Sequence, residues 1–407
     1  MNKSIIIHEF KMMSTSRKNI LFVISLVVLI LSYCFLILPN QQTSDSFNPN
    51  EVKKELEDLA AIQKGKESRG ATGFNSMSGQ SPYAENALKY NIQSKLVTAF
   101  EDGDFVRFTH LRIQDFSYYG IMETIGGTNY FTSPFPALDY SHVNTKTFLR
   151  YEGYLNEKLP ITYEMIEQKT ALQTLQNFIL GSFVLAIIFC AIYFSSDMLS
   201  KDKQNQTILQ GLPISWYRLI NLKSLVAFTY TMAILVGLLL LTVGVLTLLN
   251  GFGSFDIRIP VTLKKNEEIF QYLQYDYDTI SMAKFLLMAS GCVVILVFLF
   301  TRLNAILSLL FKNTWLVLMV STIILFAERI YFSRTKKALF NFEISNYPQT
   351  YFEFGKVITG DKNFLVNLET ITFEKGMLVL LVTLLIIEIV LFAVSRIVNK
   401  RRFYQGI

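Results

Sequence analysis

Long apolar runs separated by short polar segments are the feature that most constrains this chain. A helix needs about 20 mainly apolar residues to cross the hydrocarbon core of a bilayer, and runs of about that length recur along the sequence. Hydrophobic residues make up 51% of the 407 and charged residues only 17%. The pattern predicts a mainly α-helical polytopic membrane protein with six transmembrane helices. The predicted spans are 19–38, 176–196, 224–248, 285–303, 314–329 and 377–397.

The positions of Lys and Arg predict the orientation of these spans, because short cytoplasmic segments carry most of the positive charge. Cations precede the first span and follow the sixth, and they also fall in 197–223 and around the turn 304–313. All four positions lie on one side. We therefore expect a multi-pass protein of the cell membrane whose N-terminus and C-terminal tail, 398–407, are both cytoplasmic. The loops 249–284 and 330–376 are then extracellular.

The net charge of +6 lies mostly in these cytoplasmic flanks. It indicates orientation and contact with anionic membrane lipids, and it does not indicate nucleic-acid binding. The N-terminal residues 1–18 combine basic side chains with an apolar side that includes Ile5, Phe10 and Met13. This combination predicts a cytoplasmic amphipathic elbow helix that leads into the first span.

The segment 39–175 predicts a mixed α/β extracellular domain between the first two spans. It begins with a charged helical pattern, continues through a Gly/Ser-rich stretch at 70–81, and becomes rich in aromatic residues over 84–165. Two interpretations of these aromatic residues remain open. They form the core of a compact domain, or they line a vestibule that receives an amphipathic substrate.

Motifs for catalysis, metal binding or nucleotide binding are missing from the sequence. Cys34, Cys190 and Cys292 all fall inside predicted spans and have no CxxC or His-rich spacing, which favours helix packing. No GxSxG or HExxH pattern occurs, and no GxxxxGK[ST] loop is present to hold phosphates. We expect a chain that is not an enzyme and that holds no cofactor, so any driving nucleotide must sit on another chain.

The polar segment 197–223, DMLSKDKQNQTILQGLPISWYRLINLK, differs from an ordinary solvated linker. Its middle contains apolar residues punctuated by Gly211 and Pro213. A linker exposed only to water does not require such residues, so we expect the segment to pack against a cytosolic partner. The apolar residues are Ile208, Leu209, Leu212 and Ile214.

This segment resembles the corresponding part of the permease subunits of ABC-2 type transporters. In that family an acid, a base and an acid precede Gly-Thr, and apolar residues then lead to Pro-Ile-Ser-Arg and a later Lys. Here the matching stretches are 202–207, 213–215 and Lys223. Gln204, Gln206 and Trp216 depart from the family pattern at the second acid, the Gly and the Arg.

The resemblance implies six-helix permease subunits that pair, with an identical or homologous second subunit, around a translocation path. It also implies a dimer of cytosolic ABC ATPase subunits, which carries the ATP and Mg, and ATP-driven export of an amphipathic cargo such as a peptide or bacteriocin, a lipid or a drug. The segment 197–223 would be the coupling helix that sits in a groove of the ATPase. The implied ATPase-coupling residues are Asp202, Thr207, Leu209, Leu212, Pro213, Ile214, Ser215 and Arg218.

Glu388 lies near the middle of the sixth predicted span. A carboxylate at that depth costs at least ~2.5 kcal/mol, so it should face a partner, a polar cavity or a subunit contact, or be protonated. Two other functions remain open from the residues alone. One is a membrane sensor or assembly factor with an extracellular ligand-binding domain. The other is an ion-driven secondary transporter, although no internal repeat is evident.

Overall fold

A computed structural model describes residues 2–43, 45–74, 81–124, 135–199, 214–265, 275–311, 313–334 and 336–404. The chain divides into two compact units. The first unit, here called the membrane unit, comprises Met1–Pro39, Ala171–Phe252 and Ala283–Ile407. The second unit comprises Asn40–Thr170 and Gly253–Met282, so residues from two predicted extracellular segments fold together.

Helices dominate the described residues. In chain order they are α1 (Asn2–Thr15), α2 (Arg17–Ser32, continued by a π-helical turn at Tyr33–Ile37), α3 (Pro49–Ser68), α4 (Pro82–Glu101), α5 (Phe105–Thr124), α6 (Pro136–Asn156), α7 (Tyr163–Ile166), α8 (Ala171–Leu180), α9 (Phe183–Ser195), α10 (Trp216–Asn250), α11 (Met282–Phe311), α12 (Thr314–Tyr331), α13 (Phe354–Ile358), α14 (Asp361–Val366), α15 (Phe373–Ile397) and α16 (Lys400–Tyr404). The strands are β1 (Arg258–Lys265), β2 (Tyr275–Ser281), β3 (Ala338–Leu339) and β4 (Phe342–Glu343). Both strand pairs are antiparallel.

Five of the described helices are long and apolar enough to cross a membrane, and a bent helix pair would make a sixth span. The five are Arg17–Ile37, Trp216–Asn250, Met282–Phe311, Thr314–Tyr331 and Phe373–Ile397. Their number and length make the chain a multi-pass membrane protein. In each of them most of the apolar window is unburied within the chain, as expected for helices that face lipid or another subunit.

The predicted second span, 176–196, is not one straight helix. It falls on the pair Tyr163–Leu180 and Phe183–Ser195, which bends by 74° at its break. Gly181 and Ser182 occupy the break, and Gly/Ser pairs are a common cause of sharp helix kinks. Hydropathy averaged along the run does not detect such a break, because it carries no information on backbone direction.

The helix α10 is 35 residues long, ten residues longer than the predicted span 224–248. Its first turns contribute the buried side chains of Trp216, Leu219 and Ile220. Packing of these residues therefore extends the helix beyond the part that hydropathy alone identifies as membrane-spanning. Of the eight predicted coupling residues, three consequently lie within or just before a regular helix: Ile214, Ser215 and Arg218.

The second unit contains the helices α3 to α7 and the hairpin of β1 and β2. Within the described part of 39–175 the regular elements are all helical, and the strands of this unit come from 258–281. The helical structure of this region agrees with the spacing of its aromatic residues, because Phe105, Phe108 and Phe116 are spaced for one side of a helix. The mixed α/β domain was predicted within 39–175, but the strands of this unit come from a later part of the chain.

Asp45 is the polar centre of the second unit and is fully buried. Its carboxylate accepts hydrogen bonds from Arg150 Nη2 at 2.7 Å, Tyr151 Oη at 3.0 Å and Gln168 Nε2 at 2.6 Å. A buried carboxylate needs such partners to offset the loss of hydration. These bonds fix the 40–48 segment against α6 and the turn after α7.

Five of the described aromatic residues of this unit are buried in its core. Phe108, Phe116, Tyr151 and Tyr154 are almost completely buried, and edge contacts connect Tyr151 with Tyr154 and Phe47 with Phe108. The geometry favours core packing for these side chains over a vestibule. Tyr130 and Phe131 lie outside the described residues.

A buried ionic network lies at the predicted extracellular end of the membrane unit. Lys362, 1% exposed, lies 2.5 Å from Glu328 and 3.2 Å from Glu353. Glu353 also contacts Lys356 at 2.9 Å and Arg329 at 2.6 Å. Burial alone would raise the pKa of the Glu353 carboxyl, but Lys362 and the other cations outweigh it, so the pKa is lowered.

This network predicts a loss of stability in acid. Because folding lowers the pKa of Glu353, its contribution is fully present above the unfolded pKa of about 4.3 and is lost as pH falls through the folded value. Thermal unfolding of the detergent-solubilised protein should show a falling midpoint below about pH 4. In Glu353→Gln this fall should be smaller, and an identical pH profile would show that Glu353 does not contribute to it.

A second prediction concerns Gly355 in α13, which packs directly against α8. An added Cβ there would lie 2.7 Å from the carbonyl carbon of Ile179, so backbone must shift. We expect Gly355→Ala to lower the free energy of unfolding by about 1–3 kcal/mol. Gly291→Ala in α11 is the matched control, because an added Cβ meets nothing within 4 Å. It should be neutral or stabilising by up to about 1 kcal/mol, and equal losses in both variants would contradict the prediction.

Candidate functional site

The predicted coupling segment 197–223 is the first place to look for a functional site. Of the predicted coupling residues, Ile214 packs against the hydrophobic cluster around α10, Ser215 occupies the N-cap position of α10 without a side-chain cap bond, and Arg218 is exposed in its first turn. The other five lie outside the described residues. These are Asp202, Thr207, Leu209, Leu212 and Pro213.

The start of this segment is fixed to the beginning of α2. Lys18 Nζ lies 3.4 Å from Asp197 Oδ2 and donates a hydrogen bond of 3.2 Å to Ser196 Oγ. The same ammonium group lies 4.4 Å from the centre of the Tyr193 ring, a favourable cation–π distance. The chain therefore leaves α9 at a point held by the N-terminal region.

The end of the segment is fixed to α1. Lys223 Nζ lies 2.7 Å from Glu9 Oε1, and the Lys223 side chain is only 1% exposed. Breaking a buried ion pair by removing one partner typically costs about 3–5 kcal/mol, because the other charge is left uncompensated. Phe10 adds an edge contact to Tyr230, with ring centres 5.6 Å apart.

The elbow, residues 1–18, thus contacts both ends of the segment, and its chain bends between α1 and α2 at Ser16. Asn19 is fully buried and donates a hydrogen bond of 2.9 Å to the Met13 carbonyl across this bend. Met12, Met13 and Met198 line a small cavity beside the two ion pairs. Flexible methionine side chains can adapt to small shifts of the surrounding helices.

The C-terminal tail covers the first turn of α10. Trp216 Nε1 donates a hydrogen bond of 2.8 Å to the Val398 carbonyl, and its ring centre lies 5.4 Å from that of the buried Phe403. We call Trp216, Val398 and Phe403 the tail clasp. At the position where the family pattern has Arg, Trp216 is therefore engaged within the chain.

Further along the same helices, Asn221, Arg302 and Glu388 form a polar triad. Arg302 Nε lies 2.5 Å from Glu388 Oε1, and Arg302 Nη1 donates a hydrogen bond of 2.8 Å to Asn221 Oδ1. The guanidinium carbon also lies 5.2 Å from the centre of the Phe298 ring. The triad connects α10, α11 and α15 through groups that would be very costly to bury unpaired.

The two charged members of the triad differ in exposure. The side chain of Arg302 is 10% exposed and that of Glu388 is 27% exposed. Glu388 lies at the edge of an apolar surface of α15 that includes the exposed residues Leu385 and Ile389. The structure therefore gives the carboxylate predicted near the middle of the sixth span an ion-pair partner on α11.

A second polar cluster joins α9, α11 and α12. The buried Asn304 donates hydrogen bonds of 2.9 Å to the Ile192 carbonyl and 2.7 Å to Ser195 Oγ, and it accepts one from Ser321. Interhelical hydrogen bonds of this kind stabilise helix packing in membranes. Arg302 and Asn304 make α11 the helix that holds both polar clusters.

Several of these residues were not predicted as functional from the sequence. Arg302 lies at the end of the predicted fourth span, 285–303, whereas α11 continues nine residues beyond it, to Phe311. The apolar residues after Arg302 are the signal that it lies within a helix. Glu9 and Phe403 carry no comparable signal, because their partners are distant in sequence.

Among the described residues, no group of three or more His, Cys, Asp or Glu side chains could hold a metal ion. Cys34, Cys190 and Cys292 are free and buried.

Comparisons with known proteins agree with the segment pattern. A family model described as ABC-2 family transporter protein matches residues 3–352. The searches of curated proteins and of solved structures find no match. The family match includes the elbow, the segment 197–223 and Arg302, and it ends before α15 and the tail.

The triad yields a prediction about stability. Arg302→Met should lower the free energy of unfolding by about 3 kcal/mol, because Glu388 is left without its partner. The double variant Arg302→Met with Glu388→Leu should recover most of this loss, since both charges are removed. Thermal unfolding in detergent measures both, with Arg396→Met, at an exposed arginine, as a control. If the losses measured for Arg302→Met alone and for Glu388→Leu alone simply add in the double variant, the pair carries no coupling energy.

Proposed function

Because the chain belongs to the ABC-2 family of transporter proteins, we propose that it forms the translocation path of an ABC transporter as its permease subunit and that it exports an amphipathic cargo. The observation that carries this proposal is the family match over residues 3–352, which includes the predicted coupling segment. The energy source is ATP bound by a dimer of separate cytosolic ATPase chains. A second permease subunit, identical or homologous, completes the path.

The contacts at the two ends of 197–223 support this mechanism. Lys18 with Asp197 and Glu9 with Lys223 connect the segment's ends to the elbow. Force applied to the segment by an ATPase would therefore reach α1, α2, α9 and α10 together. ATP-driven closure of the ATPase dimer would press on the segment, tilt these helices and open the path outward.

The amphipathic cargo is proposed from the character of the membrane unit. Its exposed helix faces are strongly apolar, and the triad adds a polar point beside the apolar surface of α15. A peptide, lipid or drug with apolar and polar parts suits such surroundings. Export of an antimicrobial peptide, or self-protection against one, is the cargo class that we favour.

The proposal predicts that the protein solubilised from its native membrane retains an ATP-binding chain. The double variant Leu212→Asp with Pro213→Gly should lose this chain, because an acidic side chain in the middle of the segment opposes seating in an apolar groove. Membrane insertion should remain intact. Affinity purification in mild detergent, followed by mass spectrometry and ATP hydrolysis, measures whether the ATP-binding chain is retained.

Phe340→Asp is the matched control, since it changes an exposed apolar residue (84% exposed) to acid in a predicted extracellular loop. It should retain the ATPase. Absence of any ATP-binding chain from the wild-type protein would overturn the proposed function. Retention of the chain by the double variant would show instead that the contact lies elsewhere.

A further inference from the structure

Three exposed arginines lie around the first turn of α10, and we call Arg218, Arg396 and Arg401 the basic cap. All three side chains are exposed. Arg218 follows Trp216 by two residues, and Arg401 precedes Phe403 by two. Because Trp216 and Phe403 pack against each other, these two arginines belong to helix turns that are held together.

Arg396 belongs to the same surface through a pair of ring contacts. Its guanidinium carbon lies 5.0 Å from the centre of the Phe392 ring, and that ring meets Tyr217 edge to face at 5.3 Å. Stacking on an aromatic ring restricts the arginine side chain while leaving its donors available. The tail clasp and this stack therefore place Arg401 and Arg396 beside the first turn of α10, which carries Arg218.

The basic cap carries charge of one sign. The stretches 214–222 and 389–404 contain no Asp or Glu. Among the described residues, the nearby acids Glu9 and Asp197 contact Lys223 and Lys18, and the three arginines form no ion pair.

We propose that the basic cap extends the docking surface for the ATPase chain from Arg218, in the coupling segment, onto Arg396 and Arg401, and that it receives acidic side chains of that chain. The inference rests on the proposed function and deepens it. Charged residues around an apolar contact steer association and fix its orientation, and the planar fork of arginine suits carboxylates. Arg396 and Arg401 lie beyond residue 352, where the family match ends, so two of the three arginines are not part of that match.

An acidic protein surface fits these contacts better than a lipid headgroup layer does. Headgroup contact is served by cations spread along an interfacial helix, as Lys3 and Lys11 are on the exposed side of α1. The three arginines instead belong to helix turns that pack together next to the predicted ATPase contact.

The test measures how tightly the copurifying ATPase chain binds the permease in nanodiscs of phosphatidylcholine alone. The variant carries Arg218→Gln, Arg396→Gln and Arg401→Gln, and a control with the same charge change carries Lys54→Gln, Lys336→Gln and Lys337→Gln. We expect binding about tenfold weaker in the arginine variant at about 0.05 M salt, with a smaller difference at about 0.5 M. The control should bind as the wild type does.

The Phe403→Ala variant keeps every charge but removes the contact that holds the tail on Trp216, and it should also weaken binding. Unchanged affinity in the arginine variant would overturn the docking surface. A loss that occurs only when phosphatidylglycerol is added to the nanodiscs would assign the basic cap to lipid and overturn it too. If the wild-type permease binds no ATPase at all, the proposed function fails before the docking surface is reached.

Discussion

The charge of Arg302 is the constraint on which the membrane unit depends, because a guanidinium does not lose its proton at any accessible pH. Placed among apolar helices, it must be paired, and the pairing determines which helices stay together. Glu388 from α15 and Asn221 from α10 supply the acceptors, and Phe298 supplies an aromatic face. Three helices are thereby held at one level of the membrane unit.

The same helices meet the chain termini at the end of α10. The N-terminal region contacts both ends of 197–223, and the C-terminal tail covers Trp216. Contacts that are distant in sequence therefore converge beside the segment predicted to meet the ATPase. A segment held at its ends transmits displacement to the helices, whereas a loosely tethered one would absorb it.

Hydropathy and charge predicted the class of fold because both act locally along the chain. The apolar runs indicated the spans, and the segment pattern indicated the family. The kink at Gly181 and Ser182 could not be seen in averaged hydropathy, and the grouping of 253–282 with 40–170 depends on tertiary pairing. The partners of Glu388, Glu9 and Trp216 lie 86, 214 and 182 residues away, which no local pattern records.

The length of α10 has a mechanical consequence. Its 35 residues span about 52 Å at 1.5 Å per residue, well beyond a hydrocarbon core of about 30 Å. The helix contains no proline, so it behaves as a continuous rod. A tilt of about 10° would displace one end relative to the other by about 9 Å. A small rotation at the coupling end thus becomes a movement as wide as a helix at the opposite face of the bilayer.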